Sequence, residues 1–154
     1  MLTRGMDSLR KLGIQHTVLP YDYQRSGALP AAEALGLDPA QVVKSLVFQS
    51  SDGSFLFALL SADAHASEKK LGRASGHKHV HPASTRDAER VTGYRVGGIS
   101  PLGAKRVLPA VLDRTTAQQD KLVINAGERG VLVRLATADL VRTLEPTVAD
   151  IRTG

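Results

Sequence analysis

No cysteine occurs among the 154 residues. Disulfides, thiolate-ligated metals and a cysteine nucleophile are excluded together, and any thiol in a reaction must arrive with the substrate. Tryptophan is also absent, and Phe and Tyr hold the aromatic share to 4%. That is too little for an open stacking platform of the kind that binds single strands without preference, although it leaves room for a small pocket that takes one nucleic-acid end. No apolar run approaches the roughly 20 residues that cross a bilayer. The opening MLTRGMDSLRKLG lacks the apolar stretch of a signal peptide. These absences predict a cytoplasmic chain with no membrane partner.

What is present describes one folded domain spanning residues 1–154, with 42% hydrophobic and 23% charged residues. Twenty Lys and Arg stand against fifteen Asp and Glu, a formal charge of +5, which favours an anionic partner. The basic residues are scattered rather than blocked, so charge alone leaves both a nucleic acid and a plain solvated surface open.

Hydrophobic period and punctuation predict the elements. Residues 7–12 form a short amphipathic helix closed by Gly13, and residues 15–19 a strand that Pro20 ends, with Tyr21 at its terminus or in the loop beyond. Residues 31–35 make a second helix between Pro30 and Gly36, and Asp38-Pro39 starts a further turn. Two apolar strands, 45–49 and 54–60, are joined by Ser50-Ser51-Asp52-Gly53 as a hairpin. Ser67 caps a basic helix that Gly76 stops, residues 77–81 are extended, and Ser84 with Asp87 starts a helix that ends at Gly93. After the irregular stretch 97–103, strands are expected over 107–112, 121–125 and 131–135, and Thr137 caps a last helix ended by Pro146. The fold class is therefore α/β or α+β with a mixed sheet.

Three groups of residues could carry chemistry. Lys44 stands at a strand entry, and the period of two puts it on the face of Leu46 and Phe48. An ammonium on that apolar face must either snorkel to solvent or meet an anion. Ser45 faces the other way. The stretch from Gly97 to Gly103 holds three glycines and a proline; its backbone could approach a ligand closely and present successive N–H groups to an oxyanion, or could simply turn. It is neither a Walker loop nor a dinucleotide fingerprint. Ser100 within it does not sit in a nucleophile elbow and has no histidine nearby in sequence. His77, His79 and His81 alternate on the expected strand and share one face, which reads as exposed rather than metal-binding in the absence of a carboxylate partner.

The run Thr92-Gly93-Tyr94-Arg95-Val96-Gly97-Gly98-Ile99-Ser100-Pro101-Leu102-Gly103 resembles the signature of the YbaK family. These are free-standing relatives of the editing domain inserted in bacterial prolyl-tRNA synthetases. Val42-Val43-Lys44-Ser45-Leu46 is similar to the family's lysine-bearing strand entry, Gly127-Glu128-Arg129-Gly130 to its second glycine turn, and Ala149-Asp150-Ile151 to its tail. The resemblance covers nearly the whole chain. It implies a curved or barrel-like mixed sheet flanked by helices.

The resemblance further implies hydrolysis of the ester between a wrongly attached amino acid and the terminal ribose of a tRNA, with cysteine on proline tRNA the substrate of the members most like this chain. The implied partners are the acceptor end of aminoacyl-tRNA and prolyl-tRNA synthetase, not DNA, and no cofactor or metal is called for. The implied pocket joins Lys44, which holds the RNA end or the reacting ester, with Tyr21, Ser45, the loop residues Gly97, Gly98, Ile99, Ser100, Pro101 and Gly103, and the turn at Asn125 and Gly127. Chemistry is then substrate-assisted. A cysteinyl thiol attacks its own ester, a cyclisation that is formally a lyase reaction, and for other aminoacyl groups a water helped by the ribose hydroxyl serves. Asn125 stands where the family's cysteine deacylases carry a small hydroxyl residue, and Leu132 where they carry an aspartate, so another small amino acid is the alternative to cysteine. A non-catalytic module that binds a tRNA end or an amino acid is the alternative function.

Overall fold

The computed structural model describes residues 2–154. The first helix, α1 (Arg4–Lys11), starts three residues earlier than the pattern suggests, because the Thr3 hydroxyl accepts from the Met6 N–H and caps it. Strand β1 (Thr17–Pro20) and helix α2 (Ala28–Leu35) follow. The expected hairpin is β2 (Val43–Ser50) and β3 (Phe55–Ser61). All seven residues of β3 are buried, as its unbroken apolar run requires of a strand covered on both faces. Helix α3 (Glu68–Ser75), strand β4 (Val80–Pro82) and helix α4 (Thr85–Thr92) come next, with Ser67 and Ser84 as the caps. The chain closes with β5 (Ala110–Asp113), a 3-10 turn (Thr116–Gln118), β6 (Lys121–Glu128), β7 (Val131–Ala136), α5 (Thr137–Leu144) and β8 (Thr147–Ala149).

Two sheets result. One is antiparallel in the order β1-β7-β6, and the other is mixed in the order β4-β2-β3-β5-β8, parallel across β3-β5-β8. A bridge between Val42 and Val123 joins them edge to edge, which gives the curved sheet expected. The main core lies inside that curve and holds Val43, Val47, Phe57, Ile124 and Val133 together with Leu9 of α1 and Val91 of α4. A second cluster under α3 packs Phe48, Leu56 and Leu71, and a third packs Ala31 and Ala32 of α2 against Val42, Val123 and Leu132.

Three expectations need correction. The strand expected over 107–112 begins only at Ala110. The N–H groups of Lys105 and Arg106 donate to Thr92 and Val91 at the end of α4, which holds that segment off the sheet and leaves Val107 fully exposed. The extended run over 77–81 shortens to β4, because the His77 N–H closes α3 by donating to Gly72; the three histidines do not share a strand face. Thr137 is the first helical residue rather than a cap, and its hydroxyl donates to the Gln119 carbonyl. Strand β8 was not foreseen, since three residues after a proline give no readable period.

The tail is held by a charge. Asp113 is completely buried at the end of β5, where it accepts from Arg152 Nε at 2.8 Å and from the Ile151 N–H at 3.1 Å and pairs with Arg152 Nη2 at 2.7 Å. Thr116 and Ser61 extend this network, and the Ser61 hydroxyl donates to the Ala40 carbonyl just ahead of β2. Breaking a buried pair on one side leaves an uncompensated ion. Asp113→Ala is therefore expected to lower unfolding free energy by about 3–5 kcal/mol in urea titrations, whereas Asp87→Ala, which removes an exposed pair with Arg90 on α4, shifts it far less.

Candidate functional site

Strand β2 supplies one wall of a cavity of about 370 Å³. Strand β4 pairs with it only from Phe48 to Ser50, so the preceding half of β2 has an open edge. Residues 42–48 line the cavity along that edge. Opposite them lie the start of α2 at Gly27 and Ala28, the inner face of α4 at Thr85 and Ala88, the loop residues Val96, Gly97 and Ile99, and Asn125 and Leu132 from the other sheet. Ser84 caps α4 through the Asp87 N–H at 3.1 Å, and the helical spacing of three then turns Thr85 and Ala88 to the same side.

Six of the residues expected at a site meet here: Tyr21, Lys44, Ser45, Gly97, Ile99 and Asn125. Five others stand behind the wall. Gly98 packs against the backbone of Glu128 and Arg129, Gly103 against the backbone of α1, and Gly127 against the Tyr94 ring. Ser100 is fully buried and its hydroxyl accepts from the Leu102 N–H at 3.0 Å, so it serves the loop itself, with Pro101 beside it.

Gly97 has φ +94°, and a Cβ there would come within 2.5 Å of the Tyr23 hydroxyl. Tyr23, unforeseen in the sequence, fastens the loop from outside: the Arg129 guanidinium stacks on its ring at 5.3 Å while donating to the Val96 carbonyl at 2.8 Å. The expected pair of free N–H groups is reduced, because the Gly98 N–H donates to Arg95 and closes a turn. Asn125 ties this loop to the bulge between β6 and β7. Its Nδ2 donates to Gly97 O at 3.1 Å, and its Oδ1 accepts from the N–H groups of Gly127 (2.7 Å) and Glu128 (3.1 Å).

No histidine or carboxylate lines the cavity among the described residues, and its titratable groups are Tyr21 and Lys44. Burial pushes the Tyr21 phenol up, which keeps it protonated at neutral pH. Burial pulls the Lys44 ammonium below the ordinary lysine range, and the Asp63 carboxylate acts in the opposite sense. On the other face of the strand, the Ser45 hydroxyl is buried without a hydrogen-bond partner among the described residues. No three acidic or histidine residues come together as metal ligands among the described residues, and no described helix is long and apolar enough to cross a membrane.

The family model of the aminoacyl-tRNA editing domain matches residues 26–143, a span that contains β2, the glycine loop and the β6–β7 turn. The chain belongs to the aminoacyl-tRNA editing domain family. EbsC of Enterococcus faecalis, named as a candidate Cys-tRNA(Pro)/Cys-tRNA(Cys) deacylase, is 32% identical over 122 residues, covering 79% of this chain and 74% of EbsC. The proline–tRNA ligase of Lactobacillus acidophilus is 30% identical over 123 residues, or 80% of this chain. The match spans only 21% of that ligase, so the editing domain resembles one segment of a larger enzyme. A solved structure described as a candidate trans-editing enzyme for prolyl-tRNA synthetase superposes with a TM-score of 0.87 at 28% identity, over 98% of this chain and 96% of its own.

In this editing domain the charge of Lys44 is set by two opposed effects, and their signs give a test. Following the lysine Cε resonance by NMR across pH, the Lys44 midpoint is expected below that of the surface lysines. Asp63→Asn removes the influence that favours the cation and moves the midpoint lower still. An unchanged midpoint in that variant would show that Asp63 does not reach the ammonium.

Proposed function

We propose that the protein is a trans-editing deacylase that clears mischarged tRNA, with Cys-tRNA(Pro), or another small amino acid on tRNA(Pro), as substrate and prolyl-tRNA synthetase as partner. The observation that carries this reading is a cavity in which one half-buried lysine is the sole cation and no histidine or carboxylate accompanies it among the described residues. A lysine desolvated in that way favours an anionic or strongly polarised ligand. A phosphate of the RNA end or the ester under attack provides one.

The chemistry in this reading comes from the substrate. For a cysteinyl ester the side-chain sulfur forms a bond to the ester carbonyl carbon, the bond from that carbon to the ribose oxygen breaks, and the thiol proton passes to the departing oxygen. For other aminoacyl groups a water, oriented by the neighbouring ribose hydroxyl, attacks instead. The protein holds the ester beside the Lys44 charge and excludes bulk water with the apolar wall of Val47, Phe48, Ile99 and Leu132. The Gly97 carbonyl and the Asn125 carboxamide are already bonded to each other, so they shape the wall rather than read the amino acid.

A deacylation panel with several mischarged tRNAs tests the reading, and the wild-type protein is expected to release at least one small amino acid. Lys44→Ala is expected to abolish turnover without lowering the melting temperature, since it removes a desolvated charge and leaves the packing of Phe48 in place. Binding of the tRNA with no release of any amino acid would instead favour a module that kept the fold and lost the reaction.

The loop separates a backbone role from a hydroxyl role. In single-turnover assays Gly97→Ala is expected to lose most activity, because the Cβ meets Tyr23 and the φ angle is unfavourable. Ser100→Ala should keep activity while losing about 1 kcal/mol of stability with the Leu102 hydrogen bond. A dead serine variant beside a normal glycine variant would return Ser100 to consideration as a nucleophile.

A further inference from the structure

The open edge of β2 has a direction that its hydrogen bonds fix. The Ser50 N–H donates inward to Ser54 O across the hairpin, while the Val47 carbonyl accepts from the Ala83 N–H on the outer side. Peptide groups alternate along a strand. Lys44, Leu46 and Phe48 therefore bond to β3, and Ser45 turns its N–H and C=O outward. On that outer side β6 reaches the chain at Val42, and β4 takes over from Phe48. Ser45 lies midway between them, on the cavity wall, and no hydrogen bond from a described residue meets its outward edge. Its hydroxyl is the one buried side-chain polar atom without a partner among the described residues. The outward N–H and C=O of Ser45 thus stand on the cavity edge with no partner among the described residues, and its hydroxyl is buried unpartnered beside them.

We infer that the aminoacyl group of the substrate adds to this edge as a strand of one residue, directly opposite Ser45. The inference rests on the deacylase reading. In a hydrogen-bonded antiparallel pair the two residues exchange both bonds. The Ser45 N–H donates to the ester carbonyl oxygen, where negative charge develops during attack, and the α-amino group donates to the Ser45 carbonyl. A peptide carbonyl in that role explains how a cavity lined by no carboxylate still recognises an α-amino group. The antiparallel sense places the ribose opposite Lys44, within reach of the one cation in the wall. For an L-amino acid the side chain falls on the same face as the Ser45 side chain, because directly opposed residues share a face. The Ser45 hydroxyl then bonds a small side chain that carries a heteroatom at its γ position, so thiol- and hydroxyl-bearing amino acids are the preferred class. A D-amino acid projects its side chain toward the Lys44 face.

The probe is adenosine carrying L-cysteine through a 3′-amide, which keeps both hydrogen bonds and cannot be released. Hydrogen exchange of the wild-type protein read at the Ser45 amide should be fast when free and slow at least about tenfold on probe binding. The D-cysteine probe should give little protection. A semisynthetic protein with glyceric acid at position 45 deletes the N–H and adds no atom. It should melt only slightly below the wild type, since that N–H bonds nothing in the fold while the ester carbonyl left at Lys44 accepts less strongly from β3, and should bind the L-probe about tenfold or more weakly with a matching loss of single-turnover rate. Wild-type turnover with no protection at Ser45, or with equal protection by both enantiomers, overturns the edge-pairing inference and leaves the deacylase reading standing. Wild-type inactivity on every mischarged tRNA overturns both.

Discussion

The Asn125 carboxamide is the constraint on which the cavity depends. It makes one hydrogen bond to the glycine loop and two within the bulge at the end of β6, which ties a segment without secondary structure to the antiparallel sheet. Such bonds contribute about 1 kcal/mol each when exchanged against water, and more is at stake when the groups are dry. The side chain is nearly buried, so its loss would orphan two N–H groups and one carbonyl at once. The price of this arrangement is that Asn125 has little capacity left to read a substrate. Polar recognition passes across the cavity to β2.

On β2 adjacent residues do opposite things because a strand alternates. Lys44 shares a face with Leu46 and Phe48 and carries a charge into apolar surroundings, while Ser45 carries an orphan hydroxyl on the side of Val43 and Val47. The register Lys44↔Leu60 and Ser45↔Leu59 pins both against a strand that is buried throughout. A slip of one residue would exchange the two faces. The position of the lysine is thus a property of the hairpin, set far from the cavity by the Asp52-Gly53 turn.

Much of this was legible in the chain itself. The caps at Ser67 and Ser84, the hairpin, and the strand face of Lys44 follow from local chemistry: side-chain oxygens that meet orphan N–H groups, and a period of two. The glycine loop was conspicuous by composition, yet the partners that hold it were not. Tyr23 reaches Gly97 across more than seventy positions, and nothing in its neighbourhood marks it. The same is true of the free edge of β2, because a strand reveals its own faces in sequence but not where its neighbours stop. Asn125 illustrates a subtler gap. Its residue type announces hydrogen bonding, but only the register Asn125↔Leu132 and the bulge beyond it show that the bonds are spent inside the protein.

The clasp between Asp113 and Arg152 has a consequence for how the molecule is made. Strand β5 lies between β3 and β8, so until residues 147–152 have been made β5 has one bare edge and a carboxylate with no counter-ion. Residues 147–152 are synthesised last of this fold and supply both the missing strand and the missing charge. The same network steadies Ala40, four residues ahead of Lys44. The strand and the charge that complete β5 thus come from one short segment and arrive together.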